Sequence, residues 1–408
     1  MPKFDKHFRM TESDAIEYAR NRLPGFKGSN DLSCKEIGDG NINYIFRIED
    51  LITGHSVVIK HADERTRSSG RPLDTDRNRI EAEILRLERE YAPGLVPEIY
   101  DYDPVMRCLV MEDLSDHRIL RQELLAHRTF PRLAEDVSDF IVSTTLPTLD
   151  VVLHPSRKKE LVQRYSNPQL CDITERLVYT NPYTNAAGDN KVFPPNLEFV
   201  KKELYENSEL HLEVAKLKYG FMNNSQALIH GDLHSGSIFV KPNSTKVIDP
   251  EFAFFGPIGY DLGNVIGNLC FAWANAFATM ESGQERDCYI AWVETTIRDL
   301  VDLFQKKFLE RFPAVVTDRM ASTDGYLEWF LTGILEDAAG TAGLEMIRRT
   351  VGVAQVKDLT SIEDSEARIF AERLVIMAGK SFILLRKDFR KSLFIVSTLN
   401  EVLSQMRI

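Results

Sequence analysis

Two segments near the middle of the chain carry the residues best suited to chemistry. The first reads Ile229-His230-Gly231-Asp232-Leu233-His234-Ser235-Gly236-Ser237, and the second reads Lys246-Val247-Ile248-Asp249-Pro250-Glu251. A predicted β-hairpin that turns at Pro242-Asn243 separates Asp232 from Asp249. Because a hairpin brings its two ends to the same edge, the pattern predicts that the carboxylates of both segments reach one site.

These carboxylates suit phosphoryl transfer. Asp232 can accept the proton of an attacking hydroxyl. Asp249 and Glu251, at alternate positions of a predicted extended segment, offer the hard oxygen ligands that magnesium prefers. Two alternatives are a structural turn rich in His and Asp, and a metal-hydrolase site built from His230, Asp232 and His234. The remaining histidines are dispersed along the chain, which disfavours the hydrolase.

Phosphoryl transfer also needs a cradle for the phosphates and a cation beside them. Gly38-Asp39-Gly40-Asn41 lies between two predicted strands, and its glycines would let the backbone approach phosphate oxygens. Asn43 could add a side-chain donor. A plain hairpin turn explains the same tetrapeptide, and the third glycine of the fuller motif is absent. Lys60 closes an apolar strand one hairpin later, where kinases place their phosphate-binding lysine.

Other candidates are less specific. The helix after Lys60 offers Glu81 and Glu83 as acidic partners for the lysine, and the sequence does not choose between them. Met111-Glu112-Asp113-Leu114 follows a strand and would present an extended backbone to adenine. The polar, arginine-rich loop from His61 to Asp74 has no role that the sequence assigns.

The elements that must position these residues change from β-rich to helix-rich along the chain. We predict an α+β, two-lobed protein-kinase-like fold, with a small antiparallel β lobe in residues 1–112 and a large, mainly helical lobe in residues 113–408. A short hairpin between Ser237 and Ile248 interrupts the helices. The predicted strands of the first lobe are Leu32–Ile37, Ile42–Glu49, Ser56–Lys60, Glu98–Tyr102 and Cys108–Met111, and its predicted helices are Ser13–Asn21 and one that begins near Asp76.

Composition excludes several other classes of protein. The 408 residues are 43% hydrophobic and 27% charged, as in ordinary globular proteins, and the net charge of −11 argues against nucleic acid or an anionic membrane as the main partner. The five cysteines are scattered without a CxxC pair, which suits a reducing cytoplasm. The longest apolar stretch, Val265 to Met280, contains Asn268 and Asn275 and predicts a buried core helix rather than a membrane span.

Taken together, the motifs resemble the aminoglycoside phosphotransferase/choline kinase superfamily and, within it, the methylthioribose kinase family. His230-Gly231-Asp232 and Asp249-Pro250-Glu251 mark the superfamily. The resemblance is carried by residues 36–44, 111–114, 171–177, 230–237, 249–254 and 345–350, of which segment 171–177 and the Arg348-Arg349 pair point to the narrower family. The segments occur in order between about residue 30 and residue 360.

This resemblance implies transfer of the ATP γ-phosphate to the 1-hydroxyl of 5-methylthioribose in methionine salvage, with Mg²⁺ as cofactor. It implies that Asp232 is the base at the sugar hydroxyl, that Asp249 and Glu251 hold the metal, and that Arg348 and Arg349 bind the sugar. Without the resemblance, the arginine pair would be explained as charges at a helix C-terminus. The implied ATP-binding residues are Gly40, Asn41, Asn43, Lys60, Glu112, Asp113, Leu114, Asp249, Pro250 and Glu251.

The family further implies a cytoplasmic homodimer. One departure concerns Ser237, which stands five residues after Asp232 where many kinases of this fold have an asparagine that helps to hold a second metal. Glu251 could take over that role. Asp261, near the start of the apolar helix, is expected either to cap the helix or to brace the loop that carries Asp232.

Two other functions stay open. One is a kinase of another small sugar or amino alcohol from the same superfamily, although an arginine pair disfavours a cationic acceptor. The other is a catalytically silent nucleotide-binding module. The retention of Lys60, Asp232, Asp249 and Glu251 together speaks against the silent module.

Overall fold

The computed structural model describes residues 3–37, 43–65, 70 and 72–406. The chain divides into two compact units. The first combines Met1–His117 with Lys246–Phe252, and the second combines Arg118–Thr245 with Ala253–Ile408. The boundary between residues 112 and 113 stays a prediction; in the structure the segment that carries Asp249 and Glu251 belongs to the first unit.

The first unit is built on a five-stranded antiparallel sheet with the strand order β1-β2-β3-β5-β4. All five predicted strands are present, with ends shifted by only one or two residues, and both predicted helices are present as well. The strands are β1 (Leu32–Glu36), β2 (Tyr44–Asp50), β3 (Ser56–His61), β4 (Ile99–Asp103) and β5 (Cys108–Glu112), and the helices are α1 (Glu12–Arg22) and α2 (Asp76–Tyr91).

Strand β3 is central in this sheet and is buried on both faces. Val57 and Ile59 pack in a core shared with Tyr18 of α1. Because side chains alternate along a strand, Lys60 projects from the opposite face to Ile59. The register of the sheet places Lys60 opposite Ile45 of β2 and Leu109 of β5. A strand with two apolar faces thus fixes the position of one charged side chain.

The second unit is mainly helical, as predicted. The predicted hairpin is present as β8 and β9, although the last residues of β9 already belong to the first unit, and three very short strands were not predicted. The strands are β6 (Arg118–Ile119), β7 (Ala227–Ile229), β8 (Ile238–Lys241), β9 (Ser244–Val247) and β10 (Phe254–Gly256). The helices are α3 (Leu120–Leu125), α4 (Leu133–Thr145), α5 (Pro155–Arg164), α6 (Pro168–Leu177), α7 (Asn181–Thr184), α8 (Leu197–Val200), α9 (Ser208–Asn223), α10 (Gly259–Thr279), α11 (Gln284–Val315), α12 (Tyr326–Val351), α13 (Lys357–Thr360), α14 (Ser365–Leu384) and α15 (Leu393–Met406).

Helices α10 and α12 pack with almost no space between their backbones. Gly259, Gly263 and Gly267 recur every four residues on one face of α10. A Cβ atom at Gly263 would lie 2.4 Å from the carbonyl oxygen of Ala338 in α12. Helix α10 is buried over most of its length, which confirms the predicted core helix. Within the described part of the chain, none of the helices combines the length and apolar composition needed to span a bilayer.

We expect Gly263→Ala to destabilise the protein by about 1–3 kcal/mol, because the new methyl group must push the two helices apart. Gly333→Ala in α12 is the matched control, since a Cβ atom at Gly333 would meet nothing within 4 Å. That control should be neutral or stabilise the helix by up to about 1 kcal/mol. Urea unfolding measures both variants; an unchanged midpoint for Gly263→Ala would contradict the close packing.

Candidate active site

Lys60 is buried in the first unit and forms two ion pairs. Its ammonium group donates to Glu81 Oε1 at 2.8 Å and also to Asp249 Oδ1. Glu83 pairs instead with Arg79 of its own helix, at 3.0 Å. The structure therefore answers the question that the sequence left open: Glu81 is the glutamate that partners Lys60.

The backbone at Asp249 differs from the predicted extended segment. Asp249 has a φ angle of 71°, in the left-handed region, and a 3-10 turn formed by Pro250–Phe252 follows it. The expectation of an alternating extended segment is therefore wrong. Aspartate tolerates this region because its short side chain can hydrogen-bond locally. The turn nevertheless gathers Asp249, Glu251 and Glu81, whose carboxylates each offer an oxygen within 4.8 Å of the others.

Burial and mutual repulsion perturb this cluster. Burial raises the pKa of Glu251 to about 8, and the neighbouring charge of Asp249 adds to the shift. Burial likewise raises the pKa of Glu81 to about 7, against the opposing effect of Lys60. Burial alone would lower the pKa of Lys60, but the surrounding carboxylates outweigh it and raise the pKa. A divalent cation would relieve the repulsion, so these hard oxygen donors fit magnesium.

Asn43 lies beside this cluster, together with an arginine that the sequence analysis missed. Asn43 Nδ2 donates to Glu251 Oε2 at 3.3 Å, and Asn43 Oδ1 accepts from Arg77 Nη2 at 2.9 Å. Arg77 is only 2% exposed, and its Nε lies 3.8 Å from Glu251 Oε2. The contact of Asn43 with ATP stays a prediction. Gly40 and Asn41, assigned to the phosphate cradle, lie outside the described residues.

The segment predicted to receive adenine is tied to the sheet by Asp113. Its Oδ2 accepts from Arg47 Nε at 2.6 Å and from Ser56 Oγ at 2.7 Å. Glu112 ends β5, and Leu114 is buried. The side chain of Asp113 therefore anchors the segment to the sheet. The ATP-binding roles of these three residues stay predictions.

In the second unit, Asp232 lies beside the arginine pair and His234. Its Oδ1 is 3.8 Å from Arg348 Nη2 and 3.9 Å from Arg349 Nη2. Its Oδ2 is 3.4 Å from His234 Nε2. The structure thus brings together the three residues assigned to the sugar, from distant parts of the sequence. Both guanidinium groups approach the same carboxylate oxygen, which a pair of idle helix-end charges would not explain.

Glu345 anchors the arginine pair and was missed by the sequence analysis. Its Oε1 accepts from Arg349 Nε at 3.1 Å, and its Oε2 accepts from Arg348 Nε. Asn268 of α10 donates to the same Oε1 at 3.1 Å. Burial raises the pKa of Glu345, but the two arginines outweigh it and bring the pKa to about 2. The spacing of three and four residues on one helix face was the available signal.

The charge of Asp232 is stabilised despite its burial. Burial raises its pKa, but His234, Arg349 and Arg348 outweigh burial, so the pKa lies below the ordinary value of 3.8. Asp232 is therefore a carboxylate at neutral pH. A carboxylate beside two arginines can orient a hydroxyl group and accept its proton.

Asp261 braces the loop that carries Asp232. Its Oδ2 accepts from the backbone N–H of His230 at 2.7 Å, and its Oδ1 accepts from that of Gly231 at 3.0 Å. The bracing role is confirmed, and the alternative role as a helix cap is not, because α10 begins before Asp261. Among the described residues, the group that could hold a metal is Glu81, Asp249 and Glu251, without either histidine of the loop. That group contains none of the three residues of the metal-hydrolase alternative.

Several known proteins are similar to this chain. The sequence profile of the phosphotransferase enzyme family matches residues 33–292. Methylthioribose kinase of Erwinia tasmaniensis is 41% identical over 380 residues, covering 91% of this chain and 93% of the relative. Methylthioribose kinase of Geobacillus sp. strain WCH70 is 40% identical over 380 residues, covering 93% and 92%. A solved choline kinase from Cryptosporidium parvum is 14% identical, with a TM-score of 0.47 and 97% of each chain covered.

A family match of this extent decides the class of protein. The chain belongs to the phosphotransferase enzyme family and, within it, to the methylthioribose kinases. The predicted α+β class is confirmed, with an antiparallel sheet in one unit and a mainly helical second unit.

Proposed function

We propose that this chain transfers the γ-phosphate of ATP to the 1-hydroxyl of 5-methylthioribose, and so acts in methionine salvage. Relatives with the name methylthioribose kinase, 41% and 40% identical over more than nine-tenths of the chain, support the substrate. The observation that carries the acceptor assignment is the approach of Arg348 and Arg349 to one oxygen of Asp232. The predicted cytoplasmic location and homodimer are part of this proposal.

The acceptor chemistry follows from the charges around Asp232. As the sugar oxygen attacks the γ-phosphorus and the bond from the γ-phosphorus to the departing ADP breaks, Asp232 accepts the proton of the 1-hydroxyl. The guanidinium groups of Arg348 and Arg349 donate paired hydrogen bonds to neighbouring sugar hydroxyls. The same two cations would repel a quaternary ammonium acceptor such as choline. This repulsion weakens binding of a cationic acceptor and leaves binding of a neutral sugar unaffected.

On the nucleotide side, Lys60 donates to oxygens of the α- and β-phosphates, and Glu81 holds the ammonium group in place. Asp249 and Glu251 are the proposed magnesium ligands, and Glu81 supplies a further carboxylate nearby. When bound, magnesium neutralises charge on the phosphates of ATP. Asn43 orients Glu251 through its amide group. The remaining proposed contacts with ATP are those of Gly40, Asn41, Glu112, Asp113, Leu114 and Pro250.

An acceptor screen tests the function. The purified protein is incubated with ATP and magnesium, in parallel, with methylthioribose, choline, homoserine or an aminoglycoside. Phosphorus NMR should identify a sugar 1-phosphate formed from methylthioribose, with the other acceptors left unchanged. Turnover on only one of the other three would overturn the substrate assignment. Absence of any phosphoryl transfer would favour the silent nucleotide-binding module.

We expect Arg348→Ala to raise the KM for methylthioribose by about tenfold or more, as loss of a charge-assisted hydrogen bond predicts, while the KM for ATP changes far less. Arg348→Lys keeps the charge but not the planar pair of donors, and should give an intermediate value. Arg319→Ala, at an exposed position, is the matched control. Steady-state kinetics with each substrate varied in turn measures both KM values. An unchanged KM for methylthioribose in Arg348→Ala would contradict the assignment of Arg348 to the sugar.

A further inference from the structure

The tautomer of His234 is fixed by its neighbours. His234 Nδ1 lies 3.1 Å from the backbone nitrogen of Gly236 and 3.2 Å from Ser237 Oγ. A backbone N–H can only donate, so Nδ1 must present its lone pair and the proton of the neutral ring must be on Nε2. Nε2 is the atom that lies 3.4 Å from Asp232 Oδ2. The ring therefore offers Asp232 an N–H donor rather than a second acceptor.

The ring also has little freedom to turn. A Cβ atom at Gly236 would lie 2.8 Å from His234 Cε1, so the imidazole packs directly on that backbone. His234 N donates to the Asp232 carbonyl oxygen at 3.0 Å, and Ser237 N donates to the His234 carbonyl oxygen at 2.9 Å. These bonds close a compact turn around the ring. Burial lowers the pKa of His234 to about 4, so the ring is neutral at physiological pH.

The two oxygens of Asp232 have different partners. The arginine pair approaches Oδ1, whereas His234 faces Oδ2. N–H groups therefore lie near both oxygens, which favours one plane of the carboxylate over a freely rotating one. The charged or titratable groups that act on Asp232 or His234 are Arg121, Tyr260, Asp261, Glu345, Arg348 and Arg349.

We propose that His234 is a positioning residue, which holds Asp232 in its reactive orientation as an Nε2–H donor, and that Ser237 and Gly236 fix the tautomer required for this. The inference rests on the proposed function, because the orientation of Asp232 matters to turnover only if Asp232 is the base. It also gives a role to Ser237, which stands five residues after Asp232, where many kinases have a metal-binding asparagine. In this chain the serine hydroxyl supports the base.

The first test is independent of any substrate. Long-range ¹H–¹⁵N NMR of the full-length wild-type protein at pH 7 reports which imidazole nitrogen carries the proton. The His234 signals are assigned by their absence from His234→Gln. We expect the neutral Nε2–H pattern. An Nδ1–H pattern, or a charged ring at pH 7, would overturn the inference whatever the enzyme phosphorylates.

The second test is kinetic. His234→Ala should lower kcat on the order of tenfold to a hundredfold and leave the KM for ATP unchanged, as expected when only orientation of a general base is lost. His234→Gln should recover most of that loss, because its amide nitrogen can donate from a position close to Nε2. Ser237→Ala should cause a smaller fall of about a few-fold, because the Gly236 N–H still fixes the tautomer.

The pH profile distinguishes positioning from a general structural effect. Loss of a donor to the charged form of Asp232 raises its pKa, so the acid limb of kcat against pH should move upward in His234→Ala and return in His234→Gln. Unfolding followed by circular dichroism checks that the variants fold. Wild-type kcat and pH profile in His234→Ala, or His234→Gln as slow as His234→Ala, would refute the positioning role. If wild-type protein fails to phosphorylate methylthioribose, the proposed function fails and the NMR result still decides the tautomer.

Discussion

Asp232→Asn should lower turnover of methylthioribose by about three orders of magnitude, within the range that a positioned general base contributes. The amide keeps the shape of the carboxylate and still presents an oxygen to the arginine pair. It cannot accept the proton of the sugar hydroxyl at neutral pH. Because Asp232 is not among the residues assigned to ATP, the dissociation constant for ATP should change little. Rapid-quench measurement of product and calorimetric titration with ATP give the two quantities.

The control for this variant is Asp287→Asn on α11, where the same chemical change falls on a side chain that is 70% exposed. It should behave as wild type. If Asp232→Asn keeps a tenth or more of wild-type turnover, Asp232 is not the base. If it loses ATP binding and turnover together, the defect is structural and the assignment of Asp232 to the proton-transfer step fails as well.

The helices and strands of the first unit were predictable because the pattern of apolar residues in each is simple. A continuous run of β-branched residues, Val57 to Ile59, marks β3, and the helical spacing of Ile80, Ile84 and Leu87 marks α2. The three short strands β6, β7 and β10 were not predictable, because two or three residues cannot display a period. Such strands form only where tertiary packing brings a partner, as Phe254 meets Ile229.

Site residues were predictable where they lie in a recognisable sequence motif. Charged residues whose partners are distant in the sequence were not predictable. Asp232 and the metal ligands lie in dense motifs. Arg77 looks like helix surface in the sequence, because its partner Glu251 arrives from a segment far along the chain. The choice of Glu81 over Glu83 is likewise a matter of which helix face meets Lys60. Residues whose environment is created by the fold are the ones that the sequence alone leaves undecided.

The left-handed backbone at Asp249 is likewise a feature that the sequence alone does not reveal. Nothing in Asp249-Pro250-Glu251 predicts a φ angle of 71°, and an extended segment was the simpler expectation. The left-handed residue and the following turn determine which way the two carboxylates face. Since the conformation favours Asp or Asn over alanine, it also decides which substitution tests the metal site without disturbing the backbone.

Asp249→Asn should lower kcat by about a hundredfold to a thousandfold, corresponding to the several kcal/mol that metal-ion charge stabilisation contributes. Asparagine tolerates the left-handed backbone, so the change removes the negative charge and leaves the turn. The magnesium concentration for half-maximal activity should rise, because a neutral amide oxygen is a weaker ligand than a carboxylate. Magnesium titrations of activity, together with electron paramagnetic resonance of bound Mn²⁺, measure the two effects separately.

The control is Glu83→Gln, which removes one negative charge from the same unit at a side chain that pairs with Arg79 instead of facing the cluster. It should leave the magnesium requirement unchanged. A magnesium requirement that is also unchanged in Asp249→Asn would remove Asp249 from the metal site. A rise of equal size in both variants would show that the overall charge of the unit, rather than coordination by Asp249, governs metal binding. Only a rise confined to Asp249→Asn fits a carboxylate that contacts the ion, because long-range charge effects would reach both positions.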